Sequence, residues 1–212
     1  MGDATLELER TRQDGTVDVS GVQCSTFSFS AFEMQYLVMA AERRHCGKQP
    51  NGVPSSKFDE GQSQFSINLH GVMGEYAVAK LLGVKIDHSV SLSGDDKVSD
   101  IVYESTTIQV KTNMGRWRNV FLYFNEASLF RADVAVLAVV RSATQVDLLG
   151  WIERDEFNAI CEERNFGHGV RACVDERYLE PMSTLRDRVR ASHCENVVSV
   201  SYTHLRAHET GR

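Results

Sequence analysis

No apolar run in the 212-residue chain approaches the ~20 residues a membrane-spanning helix needs. Neither G-x-G-x-x-G nor G-x-x-x-x-G-K-[ST] occurs, so the glycine-rich loops that cradle nucleotide phosphates are missing and a nucleotide-dependent α/β enzyme is disfavoured. No C-x-x-C pair occurs either. Cys24, Cys46, Cys161, Cys173 and Cys194 are odd in number and scattered, which fits reduced thiols better than a disulfide framework or a structural zinc site. Positive charge is not in excess: the formal net charge is −6, so broad electrostatic clamping of nucleic acid is disfavoured and any such contact must be local. The opening MGDATLELERTRQDG is polar and acidic, unlike a signal peptide. A cytoplasmic protein without a membrane partner is expected.

What is present suits one globular domain with a real core: 42% of residues are hydrophobic and 25% charged. Residues 1–29 show only a short alternation over Thr16 to Val22, so an extended arm or an added edge hairpin is expected there. The main domain is expected over residues 30–198. Residues 199–212 are set aside as a tail, because SYTHLRAHETGR from Ser201 resembles translated sequencing-adapter read-through. Without it the charge moves from −6 to −7 and the His204/His208 pair is not read as a metal site.

Ser30 followed by Glu33 has the form of a capping box. It opens a helix whose Phe32, Tyr36, Met39 and Ala40 recur at helical spacing, closed near Cys46-Gly47. A Pro/Gly/Ser-rich loop leads to a second helix, Ile67 to Leu82, closed by Gly83. On its apolar stripe of Asn68, Gly71, Val72, Val78, Ala79 and Leu82 stands Glu75. A carboxylate there must be paired, hydrogen-bonded, protonated or metal-bound. Gly71 and Gly74 are expected to let this helix pack closely on a sheet. DVAVLAVV (Asp133 to Val140) reads as a strand covered on both faces and Val146 to Ile152 as a further strand. Helices are expected over Glu153 to Arg164 and after Pro181. A mixed sheet flanked by helices follows.

The stretch SDIVYESTTIQVKTN, Ser99 to Asn113, reads as a hairpin. Alternation puts Ile101, Tyr103, Ile108 and Val110 on one face and Asp100, Gln109 and Lys111 on the other. With a two-residue turn at Ser105-Thr106, Asp100 falls opposite Lys111 and Val102 opposite Gln109. A carboxylate, an amide carbonyl and the nearby Glu75 suit a hard cation. A lysine beside them suits a water to be oriented and a phosphoryl charge to be stabilised. Downstream, Arg116 and Arg118 flank Trp117 in a stretch with no acidic residue between Ser105 and Asn125, a local cationic patch. Its tryptophan suits stacking on a base and equally suits packing over a sheet edge. Arg186, Arg188 and Arg190 form a second basic run, which suits a solvated helix face.

The hairpin resembles the active-site hairpin of the PD-(D/E)XK nuclease superfamily, and GVMGEYAVAKLLG resembles the helix before it; the likeness covers about Ile67 to Ile152. It implies a restriction-endonuclease-like α/β fold, with a mixed central sheet flanked by helices. It also implies a Mg2+-dependent (or Mn2+-dependent) DNA endonuclease of phage or prophage type, and leaves room for a homodimer. Carried over, Asp100 matches the metal-binding aspartate, Gln109 the second acidic position, Lys111 the motif lysine and Glu75 the helix glutamate. The Val110 carbonyl is a further implied ligand, and Asn113, Arg116, Trp117 and Arg118 would seat the nucleic-acid backbone. Ser99 stands for the motif proline, and Gln109 for an acid, which removes one negative charge from the metal shell. The alternative is a decayed nuclease-fold module that binds DNA or a protein partner without cleavage. In that alternative Gln109 is the sign of decay; separately, Glu75 equally suits a structural ion pair with an arginine.

Overall fold

The computed structural model of the chain describes residues 16–17, 23–48, 63–84, 99–114, 120–167 and 169–191. In chain order the elements are β1 (Thr16–Val17), β2 (Gln23–Ser28), α1 (Ala31–Lys48), α2 (Gln64–Leu82), β3 (Ile101–Tyr103) and β4 (Thr106–Met114). They continue with β5 (Phe121–Phe124), β6 (Val134–Ser142), β7 (Gln145–Glu153), α3 (Arg154–Ile160), β8 (Glu162–Asn165) and β9 (Val170–Asp175). A six-stranded mixed sheet runs β1-β2-β7-β6-β4-β3, and a three-stranded antiparallel sheet runs β5-β9-β8. Among the described strands only β4 and β6 pair in parallel, with Gln109 beside Ala135 and Lys111 beside Leu137.

The six-stranded sheet carries a core on each face, which is why β6 is apolar throughout. Val134, Val136, Ala138 and Val140 join the core made with α1 and α2. Ala135, Leu137 and Val139 join Leu122, Phe124, Phe130 and Phe157 on the other side. The phenylalanines there interlock, Phe124 stacking on Phe130 with ring centres 4.8 Å apart and Phe157 edge-on to both.

Several expectations are corrected. Of the two expectations for residues 1–29 the edge hairpin is the one that fits: β1 pairs with β2, and β2 pairs with β7, Ser25 to Leu148 through Ser28 to Gln145, so the hairpin adds to one side of the central sheet. α1 begins at the expected capping box, with Glu33 Oε2 accepting from the Ser30 N–H at 2.8 Å. Its buried face, however, is Leu37, Ala40 and Ala41, while Phe32, Tyr36 and Met39 are exposed. Two helical stripes exist in that sequence, and the one with small residues wins because it lets α1 lie against α2. α2 starts at Gln64 rather than Ile67 because the Ser63 hydroxyl accepts from the Ser66 N–H. It ends as expected at Gly83, whose φ of 74° suits glycine. The helix expected to reach Arg164 stops at Ile160, and Glu162–Asn165 pairs instead with β9. After Pro181, a single 3-10 turn (Met182–Thr184) leads into helical residues 185–191.

Candidate functional site

The turn of the β3-β4 hairpin is Glu104-Ser105, both with positive φ (47° and 71°), the conformation that matches strand twist in a two-residue hairpin. The expected turn at Ser105-Thr106 is therefore one residue too late. Ile101 pairs with Ile108, Val102 with Thr107 and Tyr103 with Thr106, which replaces the expected pairings of Asp100 with Lys111 and of Val102 with Gln109. Asp133 Oδ2 anchors the start of β4, accepting from the N–H and hydroxyl of Thr107.

β3 ends its ladder where Asp100 begins. The Asp100 N–H donates to the Ile108 carbonyl, and Asp100 Oδ2 accepts from the Val110 N–H at 2.7 Å. The carboxylate thus takes over at the β4 edge where main-chain pairing stops. In a strand the N–H and C=O of one residue point the same way, so the Val110 carbonyl looks out along that same edge, past the end of β3.

Glu75 is buried on α2, 5% exposed. Arg44 of α1 donates Nη1 to Oε1 at 2.7 Å and Nη2 to Oε2. Burial works against the Arg44 charge, yet its hydrogen bonds to Glu75 and the negative charges of Glu75 and Asp100 raise its pKa above the usual arginine value. Arg44 thereby joins the helix pair electrically to Asp100. Sequence reading missed it, although its position one turn beyond Ala40 and Ala41 on the buried stripe of α1 marks it in retrospect.

The helix is held to β4 by a close contact: a Cβ on Gly74 would stand 2.1 Å from Thr112 Oγ1 and 3.1 Å from the Ala138 Cβ. Gly74 precedes Glu75 and Thr112 follows Lys111, so this approach sets the spacing between the helix carboxylate and the strand. Gly71, expected to act likewise, faces open space.

Gln109 and Lys111 lie on the opposite face of β4 from α2, in register with Ala135 and Leu137 of the second core. Lys111 Nζ sits 4.5 Å from the centre of the Phe124 ring, a cation over an aromatic face. Gln109 Oε1 is buried with no hydrogen-bond partner among the described residues. Asn113 Nδ2 donates to the Phe121 carbonyl at 2.9 Å, tying the end of β4 to the start of β5. The candidate contacts Arg116, Trp117 and Arg118 lie outside the described residues, as does the tail. In the second basic run, Arg188 pairs with Glu153 and Arg186 donates to the Leu81 carbonyl, so both serve the fold. His70 is half-buried and its pKa is lowered by burial.

Among the described residues no three His, Cys, Asp or Glu gather as a metal group, and no helix is long and apolar enough to cross a membrane. The β4 edge carries two oxygen donors, the Asp100 carboxylate and the Val110 carbonyl, and the Gln109 amide oxygen is buried on the face of β4 toward the second core; oxygen is the donor type a hard cation takes. Glu75 does not fit, since both its oxygens accept from Arg44. No protein-family model, curated protein or solved structure matches the chain.

Proposed function

We propose that this protein is a Mg2+-dependent phosphodiesterase that cleaves nucleic acid, with DNA as its substrate and Mn2+ as an alternative metal, on a restriction-endonuclease-like fold. The observation that carries the reading is the β4 edge. Asp100 holds the Val110 N–H there, while Oε1 of Gln109, next to Val110 in the chain, is buried without a partner among the described residues. An orphaned buried acceptor costs stability unless something satisfies it, and a hard cation satisfies a carbonyl oxygen.

In this reading Asp100, Gln109 and the Val110 carbonyl would hold the cation. A cation held there would supply Lewis-acid polarisation of the phosphodiester and a more acidic water. Lys111 donates to the attacking water and draws on the charge that develops on the non-bridging oxygens. Its seat over Phe124 limits its freedom before substrate arrives. Arg44 holds Glu75 and keeps a positive charge near Asp100; Asn113 and the segment carrying Arg116, Trp117 and Arg118 seat the nucleic-acid backbone.

One observation favours a second reading. With Glu75 committed to Arg44 and glutamine at position 109, Asp100 is the one carboxylate left from the expected set, which suits a module that binds DNA without cutting it. Supercoiled plasmid and a short branched duplex, incubated with Mg2+, Mn2+ or EDTA, decide between them. Cleavage that needs metal and vanishes in Lys111→Ala supports the enzyme. No cleavage under any metal, with unchanged DNA binding by both proteins, supports the binding module.

A further inference from the structure

The outer face of the three-stranded sheet is turned away from both cores, since Leu122 and Phe124 of β5 and Ala172 and Val174 of β9 point inward. Alternation then puts Phe121 and Tyr123 on the outside, with Arg171 of β9 and Arg164 of β8. Arg164 and Arg171 stand directly opposite one another across the strands, an arrangement in which like charges repel. Each guanidinium lies over a ring: Arg164 is 4.7 Å from the Phe121 centre and Arg171 is 5.4 Å from that of Tyr123. Phe166 completes the cluster, 5.7 Å from Phe121 and 6.0 Å from Tyr123.

We propose that this outer face of β5, β9 and β8 is a binding platform for single-stranded DNA, its arginine pair holding successive phosphates and its rings stacking on bases. Two opposed arginines are favourable beside a polyanion, and in the free protein the carboxylates of Glu162 and of Asp175 in β9 favour the Arg164 charge. Guanidinium planes and aromatic rings on a sheet face are the groups on which unpaired bases stack. Glu162 shares Arg164 at 3.0 Å, but the two side chains are 68% and 45% exposed; such an exposed pair is weak and yields to a phosphate. The platform adjoins the candidate site by chain and by bond. β5 follows directly on the Arg116-Trp117-Arg118 segment, and the Phe121 carbonyl accepts from Asn113.

The proposal deepens the nucleic-acid reading above, since it makes the substrate one with a single-stranded portion, and its test needs no cleavage. Fluorescence anisotropy of a labelled oligo-dT of about twenty nucleotides, spanning several nucleotide-binding steps, is measured in EDTA for the whole chain over a salt series. Arg164→Gln/Arg171→Gln should bind at least ~10-fold more weakly and flatten the plot of log affinity against log salt by ~1.4, the share of two phosphates. On the unaltered protein, a bromodeoxyuridine oligonucleotide should crosslink under ultraviolet light to the peptides holding Tyr123 or Phe166. Crosslinks confined to other peptides overturn the platform even where the double variant fails to fold. Equal binding and salt slope in a folded variant, or equal binding of a fully paired duplex, overturns it as well. Loss of plasmid cleavage with oligo-dT binding intact would sink the enzyme reading and spare the platform.

Discussion

Arg44 grips Glu75 with both terminal nitrogens, joining α1 to α2 through a carboxylate that is 5% exposed. Removing one partner of such a pair leaves the other buried without its counter-charge, at about 3 kcal/mol. The Arg44 side chain keeps 26% exposure, which places Glu75→Gln at the lower end of that class. Urea unfolding should show this loss, and Arg44→Met/Glu75→Leu should recover most of it, because a well-packed apolar pair avoids the desolvation of two ions. A Glu75→Gln midpoint equal to wild type would mean the ion pair does not hold the helices together.

A second interhelical contact gives acid sensitivity. Lys80 Nζ donates to Glu33 Oε1 at 2.7 Å, and the Ser30 N–H and hydroxyl donate to Oε2. These bonds, Lys80 first, lower the Glu33 pKa from 4.5 to about 2. The unfolded chain therefore takes up the proton first. The stabilisation is complete above pH 4.5 and is lost as pH falls toward about 2. The urea midpoint should drop across that window in the wild type and drop less in Glu33→Gln. Parallel curves for the two proteins would remove Glu33 from the acid response.

Two glycines three residues apart on one helix should respond oppositely to alanine. At Gly74 a methyl group would strike Thr112 Oγ1 and crowd the Ala138 Cβ, an overpacking that costs about 2 kcal/mol. At Gly71 nothing lies within 4 Å, and alanine should stabilise the helix by about 0.5–1 kcal/mol. Adding Thr112→Ala to Gly74→Ala should return part of the loss. Thermal melts of the four proteins check the order. A neutral Gly74→Ala would mean that α2 is not seated on β4 as closely as Thr112 indicates.

Much of this fold is legible in the order of residues, because the strongest signals are local: the Ser30/Glu33 cap, the Gly83 stop and the unbroken apolar run of β6. What escapes depends on distant parts of the chain. Nothing local in α1 says whether Phe32 and Tyr36 or Leu37 and Ala41 face inward; α2 decides. The hairpin turn escapes because Glu104 and Ser105 adopt positive φ without the Asn-Gly that advertises it. The second sheet escapes because β8 is four polar residues, EERN, which read as the end of a helix. In the site, Glu75 announces its need for a partner, but the partner, Arg44, lies 31 residues away.

Asp100 and Gln109 separate architecture from chemistry. Asp100→Asn keeps an oxygen able to accept from the Val110 N–H, so its urea midpoint should stay near wild type, while Asp100→Ala leaves that N–H without its acceptor and should cost about 1 kcal/mol or more. Both should lose metal-dependent cleavage, because neither carries the charge that draws a hard cation. Gln109→Glu is the complementary change. It places a carboxylate where a buried amide oxygen has no partner among the described residues. In metal-free protein this raises the cost of burial, and with metal it adds an anionic ligand. Half-saturating Mg2+ should therefore fall about tenfold, since ligand charge sets affinity at such sites, and Mg2+ should raise the melting temperature of Gln109→Glu more than that of wild type. Metal titrations of cleavage and of thermal stability read the two effects separately. If Gln109→Glu lowers stability with and without Mg2+ alike and leaves the metal dependence unchanged, position 109 is not a metal ligand.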